Sequence, residues 1–269
     1  MTEKEFRKKE RSAAMKKAAQ KAKKRKRRNA AIIALTVMLV LVAVLSVLVA
    51  CVLFKIENIY VTGNSLYSNS DIISAAELEV GDALFLFNKN SVSNKVQKKL
   101  PFVSKIIIKR GLPSTLKFEI TETKEEIYFV KDNLYYSANL EGKILKEYQS
   151  EPNLDLKILL GEENEYIVGN YITISDTVKK DIYNKLIPLS EEIKITKIDI
   201  SNVFSINFIA EDRLVFNLGS SVDMDKKIAH MKAMFKKISN DDVGICDLSG
   251  WTEDKPEAFF TEKDISSYK

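Results

Sequence analysis

The stretch Tyr60 to Ile72, YVTGNSLYSNSDI, combines a strand pattern, a turn pair and helix-capping residues within a few positions. Its first residues alternate between apolar and polar and end at Gly63-Asn64, a pair typical of tight turns. The side chains from Ser68 to Asp71 offer hydroxyl, amide and carboxylate oxygens that can cap a helix opening at Ile72. The stretch therefore predicts the strand, turn and helix start of a small α+β unit.

The longest apolar run of the chain ends shortly before this stretch. Residues 30–54 form a run of 25 residues without a charged side chain, in which Thr36 and Ser46 supply the hydroxyl groups. A helix of that length measures about 37 Å at ~1.5 Å per residue, and a hydrocarbon core is roughly 30 Å thick. The sequence therefore predicts a transmembrane helix over residues 30–54.

The charges on the two sides of this run differ in sign. Residues 1–29 hold 14 Lys and Arg against three acids, a charge of +11. Because the whole chain carries +5, residues 55–269 carry −6. Basic flanks stay in the cytoplasm, so we expect residues 1–29 to be a basic cytoplasmic tail and everything after Phe54 to lie outside. The pI near 8.9 is an average over two compartments and does not indicate binding of nucleic acid.

Other interpretations of this N-terminal part stay open. A cleaved signal peptide has an apolar region of about 7 to 15 residues, shorter than this run. Leu48-Val49-Ala50-Cys51 fits the lipobox of bacterial lipoproteins, although apolar residues continue past Cys51. The basic cluster is also compatible with binding to nucleic acid or anionic lipid. Since Cys51 and Cys246 are far apart in the sequence, we expect no disulfide between them, and the exported part must be stable through its core.

Beyond the apolar run the residue pattern predicts the order β-α-α-β-β. Asn90 or Ser91 can cap the second helix, and Pro101 ends it. The predicted elements are a strand at 55–61, helices at 71–77 and 91–100, and strands at 103–110 and 115–123.

Several motifs in this region together resemble a known family. They are Ile59-Tyr60-Val61-Thr62-Gly63-Asn64, Ser70-Asp71-Ile72, Gly81 followed by Leu84-Phe85, Pro101-Phe102-Val103, Pro113 followed by Thr115-Leu116, and Ile120-Thr121-Glu122. In their order, spacing and place just outside an apolar helix, they resemble a POTRA domain, and more closely the bacterial cell-division proteins FtsQ and DivIB. The resemblance implies an α+β fold, with a POTRA domain at 55–123, a β-rich partner-binding domain at 124–250 and a polar C-terminal tail at 251–269.

The second domain follows the family more loosely. The stretch from Tyr135 to Leu145 resembles the hairpin that begins the family's second domain. The residue pattern predicts helices at 176–189 and 223–238, and strands at 193–200, 204–210, 213–218 and 243–248. The family often has Pro-Ala after the POTRA glutamate and a Pro before the midway glycine. This chain has Thr123 to Glu126 and Leu159-Leu160-Gly161 at those places.

The sequence contains few residues that could form a catalytic site. His230 is the only histidine, and no second ligand or nucleophile lies near it in the sequence. Ser114 to Lys117 fits the S-x-x-K motif of penicillin-binding enzymes, but that chemistry requires a helix, and Pro113 with the alternation after it predicts a turn and strand. We therefore expect no catalytic residue, no metal site, no cofactor and no enzymatic activity.

A partner-binding surface is predicted at the end of the β-rich domain. If the strand at 243–248 has one neighbour and one open edge, its backbone can accept a strand from another chain. Trp251 lies just beyond it and is read either as an anchor for the partner or as a cap of the domain, and Phe259-Phe260 in the charged tail favours an interface. The predicted partner-binding residues are Val243, Gly244, Ile245, Asp247, Leu248 and Trp251.

The resemblance implies a non-enzymatic scaffold of the bacterial division machinery. The β-rich domain would hold the small division proteins FtsL and DivIC (FtsB) by strand addition, and the POTRA domain would contact other components, septal peptidoglycan synthases among them. The protein would be a single-pass, type II protein of the cell membrane, enriched at the septum. Two alternatives stay open: a membrane-anchored extracytoplasmic cell-wall enzyme or its regulator, and a POTRA-bearing translocation component.

Overall fold

The computed structural model describes Lys26 and residues 28–30, 32–49, 53–161 and 163–268. Among these residues one helix, α1 (Arg28–Val49), is long and apolar enough to cross a membrane. Its 22 residues measure about 33 Å at ~1.5 Å each, close to the thickness of a hydrocarbon core. Cys51, on which the lipobox interpretation depends, and most of the basic tail lie outside the described residues.

The rest of the described chain is a mixed α+β structure, as the sequence predicts. The first strands and helices are β1 (Asn58–Thr62), α2 (Asn69–Ala76), α3 (Lys89–Lys99), β2 (Val103–Gly111) and β3 (Thr115–Glu122). They are followed by β4 (Ile127–Lys131), β5 (Leu134–Ala138), β6 (Ile144–Tyr148), β7 (Leu156–Leu159), α4 (Thr177–Leu186), α5 (Leu189–Glu192), β8 (Ile195–Asp199), β9 (Ile206–Ala210), β10 (Leu214–Gly219), α6 (Met224–Phe235), β11 (Gly244–Asp247), β12 (Phe259–Glu262) and a 3₁₀ turn at Ser266–Tyr268.

These elements group into two compact units. The first unit contains the described residues up to Asn58, together with Glu79–Phe87 and Arg110–Leu116. The second contains Ile59–Leu78, Asn88–Lys109 and Lys117–Lys269. Helices α2 and α3 therefore belong to the same compact unit as the strands that follow them.

The predicted order β-α-α-β-β is confirmed, with shifts at both helix starts. Helix α2 begins before the expected Ile72, because the Ser68 hydroxyl accepts from the Asp71 N–H and the Asp71 carboxylate accepts from the Ser68 N–H. Helix α3 is capped by Asn88, whose Oδ1 accepts from the N–H groups of Asn90 and Ser91, the two residues predicted as caps. Strands β1, β3 and β2 lie side by side in that order.

The turn after β1 depends on Gly63. Its φ of +83° lies in the left-handed region, and a Cβ at this position would stand 2.2 Å from the carbonyl oxygen of Ile120. The segment that follows is held by the Glu122 carboxylate, which accepts from the N–H groups of Ser65 and Leu66 at 2.9 Å. Burial raises the pKa of this carboxyl, but hydrogen bonds from Ser65, Leu66 and neighbouring N–H groups bring it below the usual value.

The remaining strands form one nine-stranded sheet in the order β12-β11-β10-β9-β8-β7-β4-β5-β6. The pairs β4/β7, β7/β8 and β10/β11 are parallel, and the other neighbours are antiparallel. Ile182 and Leu186 of α4 and Met231 of α6 are buried in the same apolar core as Phe208 and Phe216. The core thus lies between the sheet and these helices.

Three strands of this sheet have no counterpart among the predicted elements. Strands β4 and β7 were not predicted, and β12 lies in the expected polar tail. The expectation that the strand at 243–248 is the last one, with an open edge, is wrong. Strand β11 pairs with β10 on one side and with β12 on the other, because the chain returns after Trp251 and pairs Phe259–Glu262 with Gly244–Asp247.

A buried lysine connects this sheet to the preceding α/β elements within the second unit. The Lys143 side chain is buried, and its ammonium donates to the carbonyl oxygens of Gln97 at 2.8 Å and Val103 at 2.7 Å. Burial lowers the pKa of Lys143 to about 8. Nearby, a Cβ on Gly169, whose φ is +87°, would stand 2.2 Å from the carbonyl oxygen of Lys98.

Replacing Gly63 by alanine is expected to destabilise the protein. The new Cβ would meet a backbone oxygen, and alanine would be strained at the positive φ, for a combined cost of about 2 kcal/mol in the free energy of unfolding. The matched control is Gly250→Ala, because a Cβ at Gly250 meets nothing within 4 Å. Urea unfolding of both variants tests the turn, and equal midpoints for the two would contradict it.

Replacing Lys143 by methionine is expected to lower the free energy of unfolding by about 2 kcal/mol, since two backbone carbonyls lose their donor. The effect should also depend on pH. Between about 8, the pKa in the folded state, and the ordinary 10.5, the unfolded chain holds a proton that the folded chain has released, so the stability of the wild type rises with pH.

The difference in stability between wild type and Lys143→Met should therefore widen from pH 8 to pH 10. Lys124→Met is the control, because the Lys124 side chain is 81% exposed. A difference that stays constant over this pH range would mean that burial does not shift the Lys143 pKa.

Candidate functional site

The described sheet ends on one side at β12, a short strand held at both ends. Before it, Trp251 is buried in the core of the sheet and lies 6.0 Å from His230, measured between ring centroids. After it, Ile265 is buried against Ile209 and Val215. Phe260 of the strand itself packs against the main core. These anchors fix β12 in place although it has only four residues.

The hydrogen-bond pattern of β11 shows which backbone groups of β12 are directed outward. Gly244 and Leu248 donate to the carbonyl oxygens of Arg213 and Asn217, at 3.0 and 2.8 Å, so the even-numbered N–H groups of this strand face β10. The odd-numbered groups face β12, and Lys263 accordingly donates to the Val243 carbonyl at 3.3 Å.

In an antiparallel ladder the residues between bonded pairs direct both backbone groups to the other side. Ile245 is opposite Thr261, and Asp247 is opposite Phe259. The N–H and C=O groups of Phe260 and Glu262 therefore point away from β11. In the described part of the chain, no strand pairs with this outer side of β12. We call the outward backbone of Phe260 and Glu262, together with the exposed Phe259 side chain, the β12 edge.

The opposite end of the sheet is less open. Strand β6 is the last strand there, but Ile144 at its start already exchanges hydrogen bonds with another segment. It donates to the Asn170 carbonyl and accepts from the Gly169 N–H, both at 2.9 Å. Further along β6, Lys146 and Glu147 are exposed charged residues, which protect an edge against strand pairing. The β12 edge is the better acceptor of the two.

Charge and an apolar side chain distinguish the β12 edge. Phe259 is 61% exposed, an unusual state for a large ring in a strand. Residues 252–264 carry five acids and two lysines, a formal charge of −3. The edge therefore combines unpaired backbone groups, an aromatic ring and an acidic surrounding.

The six residues predicted for partner binding are not at the open edge. Gly244, Leu248 and Trp251 are buried. Ile245 and Asp247 direct their N–H groups to β12, as the alternation along β11 requires, and Val243 is exposed just before the strand. Sequence reasoning missed β12 because its residues lie in a charged tail, although the pair Phe259-Phe260 was the signal that could have identified it.

Trp251 caps the domain rather than serving as an exposed anchor. Trp251 is buried in the core, which supports its interpretation as a cap of the domain. Cys246 on the neighbouring strand is also fully buried, and burial raises the pKa of its thiol to about 12. Such a thiol stays protonated and unreactive near neutral pH.

The residues considered for catalysis are engaged in structure. The Ser114 hydroxyl donates to the Glu57 carboxylate at 2.7 Å, and Lys117 lies on β3 with an exposed side chain, so the S-x-x-K match falls in a turn and strand as predicted. His230 lies against Trp251 on α6. Among the described residues, no cluster of His, Cys, Asp and Glu could hold a metal ion.

Comparison with known proteins identifies the first domain. Residues 54–123 match the family model described as "POTRA domain, FtsQ-type". The chain is 29% identical over 114 residues to the cell division protein FtsQ of Geotalea daltonii, covering 42% of this chain and 41% of that protein. It is 33% identical over 92 residues to the cell division protein DivIB of Bacillus subtilis, covering 34% of this chain and 35% of the relative.

This chain also aligns over a longer stretch with the cell division protein DivIB of Enterococcus faecalis. The two are 23% identical over 198 residues, which is 73% of this chain and 51% of the relative. The chain thus spans about half or less of the length of the curated relatives named here. Residues 54–123 thus match the FtsQ-type POTRA model, and the chain is similar over part of its length to the cell-division proteins FtsQ and DivIB.

Proposed function

We propose that this chain is a membrane-anchored, non-enzymatic scaffold of bacterial cell division that holds partner proteins by strand addition at the β12 edge. The observation that carries the proposal is the outward backbone of Phe260 and Glu262 at the end of the sheet. The relationship to FtsQ and DivIB supports a role in division.

The chemistry of the edge supports binding of an extended segment. A partner strand that pairs with Phe260 and Glu262 gains main-chain hydrogen bonds, and alternate side chains give it specificity. Phe259 offers an exposed ring to an apolar side chain of the partner. Because residues 252–264 carry a formal charge of −3, a partner segment with basic residues is favoured.

The partners follow from the resemblance. We propose that they are FtsL and the DivIC/FtsB type of division protein, with septal peptidoglycan synthases as further contacts of the POTRA domain. The charge of +11 on residues 1–29 supports a cytoplasmic N-terminus, which would place the β12 edge outside the cell membrane. We propose enrichment at the division septum, which a fluorescent fusion in dividing cells tests directly.

Glu262→Pro should abolish binding of the partner ectodomains, because proline removes the outward N–H of Glu262 and leaves the pairing of β12 with β11 intact. Glu262→Ala is the matched control, since it removes the same side chain and keeps the N–H. Pull-down of the wild type and both variants with FtsL and DivIC ectodomains, with circular dichroism to verify folding, measures the effect. A folded Glu262→Pro variant that binds like Glu262→Ala would exclude strand addition at this edge.

Phe259→Ala should weaken the same binding by roughly 2 kcal/mol if the ring is an anchor. Phe204→Ala is the control, because Phe204 is an equally apolar side chain that is 78% exposed and lies outside the β12 edge. Titration of a labelled partner segment gives both affinities. Equal losses in the two variants would show that exposed phenylalanine matters only as a nonspecific contact.

The orientation is tested by labelling intact cells with a membrane-impermeant maleimide. In a Cys51→Ser background, Lys124→Cys should react from outside, since the Lys124 side chain is 81% exposed, and Ser12→Cys should not. The buried Cys246 should stay unlabelled. Reaction at position 12 without lysis would reverse the proposed orientation.

A further inference from the structure

Within the first unit, three segments that are linked by hydrogen bonds carry exposed apolar side chains. They are Leu53 before β1, Val80, Phe85 and Leu86 in the loop Glu79–Phe87, and Leu112 in the turn Arg110–Leu116, all between 47% and 70% exposed. We call these five residues the apolar rim. Single exposed apolar residues are common, whereas several on segments that are linked to one another are a candidate interaction surface.

The rim does not result from a missing core. Ile56, Leu84 and Leu116, which belong to the same three segments, are fully buried. The segments therefore already bury one set of apolar side chains and present a second set to the outside. Burial of apolar area is the main favourable contribution to the free energy of association. The exposed side chains of the apolar rim can therefore contribute to binding.

Hydrogen bonds fix the loop to the chain that leaves α1. Leu84 donates to the Phe54 carbonyl, Ile56 donates to the Asp82 carbonyl and Gly81 donates to the Ile56 carbonyl, each at 2.8 Å. The rings of Phe54 and Phe85 meet edge to face with centroids 5.5 Å apart. The loop therefore moves as one piece with Phe54.

The turn is fixed to the same loop by Arg110. Its guanidinium donates to the Phe87 carbonyl at 2.8 Å and lies 4.5 Å from the centroid of the Phe87 ring and 5.5 Å from that of Phe85. At the other end of the turn, Glu57 donates its N–H to the Ser114 carbonyl at 2.8 Å. The loop and the turn are thus both attached to the residues between Phe54 and Asn58.

Chain length places these residues near the end of α1. Phe54 follows Val49, the last residue of the described span of α1, by five positions, and five residues span at most about 18 Å at full extension. The headgroup layer continues for several ångströms beyond the hydrocarbon core. The rim is therefore tethered within reach of the membrane surface at which α1 ends.

We propose that the apolar rim docks into the headgroup–acyl boundary of the membrane that α1 spans, on the side where α1 ends. This docking proposal depends on one part of the proposed function, namely that α1 is a membrane anchor. Exposed Leu and Phe side chains partition into this boundary, and α1 keeps them at its surface. The rim adds a second, shallow contact to the spanning helix.

Charge indicates that the docking depends on apolar contact. The three segments carry Lys55 and Arg110 against Glu57, Glu79 and Asp82, so their cations do not outnumber their acids. A surface held by anionic lipid would require an excess of Lys and Arg. Docking should therefore be equally strong on neutral and on anionic membranes.

The test uses the full chain with Cys51→Ser, reconstituted in vesicles of phosphatidylcholine and in vesicles of phosphatidylcholine with phosphatidylglycerol. A polarity-sensitive dye is attached at Leu86→Cys or Leu112→Cys, while Cys246 stays unlabelled because it is fully buried. The expected result is blue-shifted emission, quenched by spin-labelled lipid more strongly from a shallow than from a deep label position, in both vesicle types. Phe204→Cys, an equally exposed apolar position of the β-rich domain, controls for partition of the dye itself.

A second variant tests the contribution of the rim with the dye at Val80→Cys. Glu in place of both Leu86 and Leu112 should reduce the quenching to the level of the Phe204 control, whereas Phe in place of both should preserve it. Both leucines are exposed, so the melting temperature should not change.

The outcomes separate the two proposals. A chain that floats with vesicles but carries unquenched dyes would overturn the docking and leave the anchor intact, and the rim would then face water or another protein. A chain that does not float would overturn the membrane anchor of the proposed function, and the docking with it. Quenching confined to anionic vesicles would overturn docking by apolar contact.

Discussion

The ammonium of Lys143 is the contact on which the join between the POTRA helices and the nine-stranded sheet depends. A charged group leaves water at a high cost unless other dipoles replace the water, and the carbonyls of Gln97 and Val103 take this role. Gly169 supports the join, since any larger residue would collide with the Lys98 carbonyl. Both contacts lie within the second compact unit, which contains α2, α3 and the sheet.

The sequence predicts best where the cause of structure is local. Capping oxygens at Ser68 and alternation in β3 depend on a few neighbouring residues, and both are found as expected apart from the shift in helix start. The left-handed residues Glu211 and Asp212 likewise join β9 and β10 in the two-residue gap between the strands expected at 204–210 and 213–218. Such features depend on interactions between residues that are only a few positions apart in the sequence.

The missed features depend on distant parts of the chain. Strand β4 is buried at Ile127, Tyr128 and Phe129 in succession, so it lacks the alternation by which a half-exposed strand is recognised. Lys143 resembles a surface residue until the carbonyls that receive it are known. The edge of a sheet is a property of all its strands, and for this reason the open edge was expected one strand too far inward, on β11 instead of β12.

The position of β12 also limits unwanted pairing. An open edge can bind a second copy of the same chain, and proteins protect edges with short strands and charge. Strand β12 has four residues in an acidic stretch, so two copies brought edge to edge would repel each other. The short strand and its acidic surroundings thus disfavour self-association.

The strand order determines the sequence in which the strands of the large sheet can pair during folding. Parallel neighbours cannot form by a tight turn, so β8 must wait for the chain through α4 and α5 before it joins β7, and β11 must wait for α6 before it joins β10. Strand β12 can be added only after β11 is in place. A chain that emerges from its N-terminal end therefore forms the β12 edge after the other strands of the described sheet.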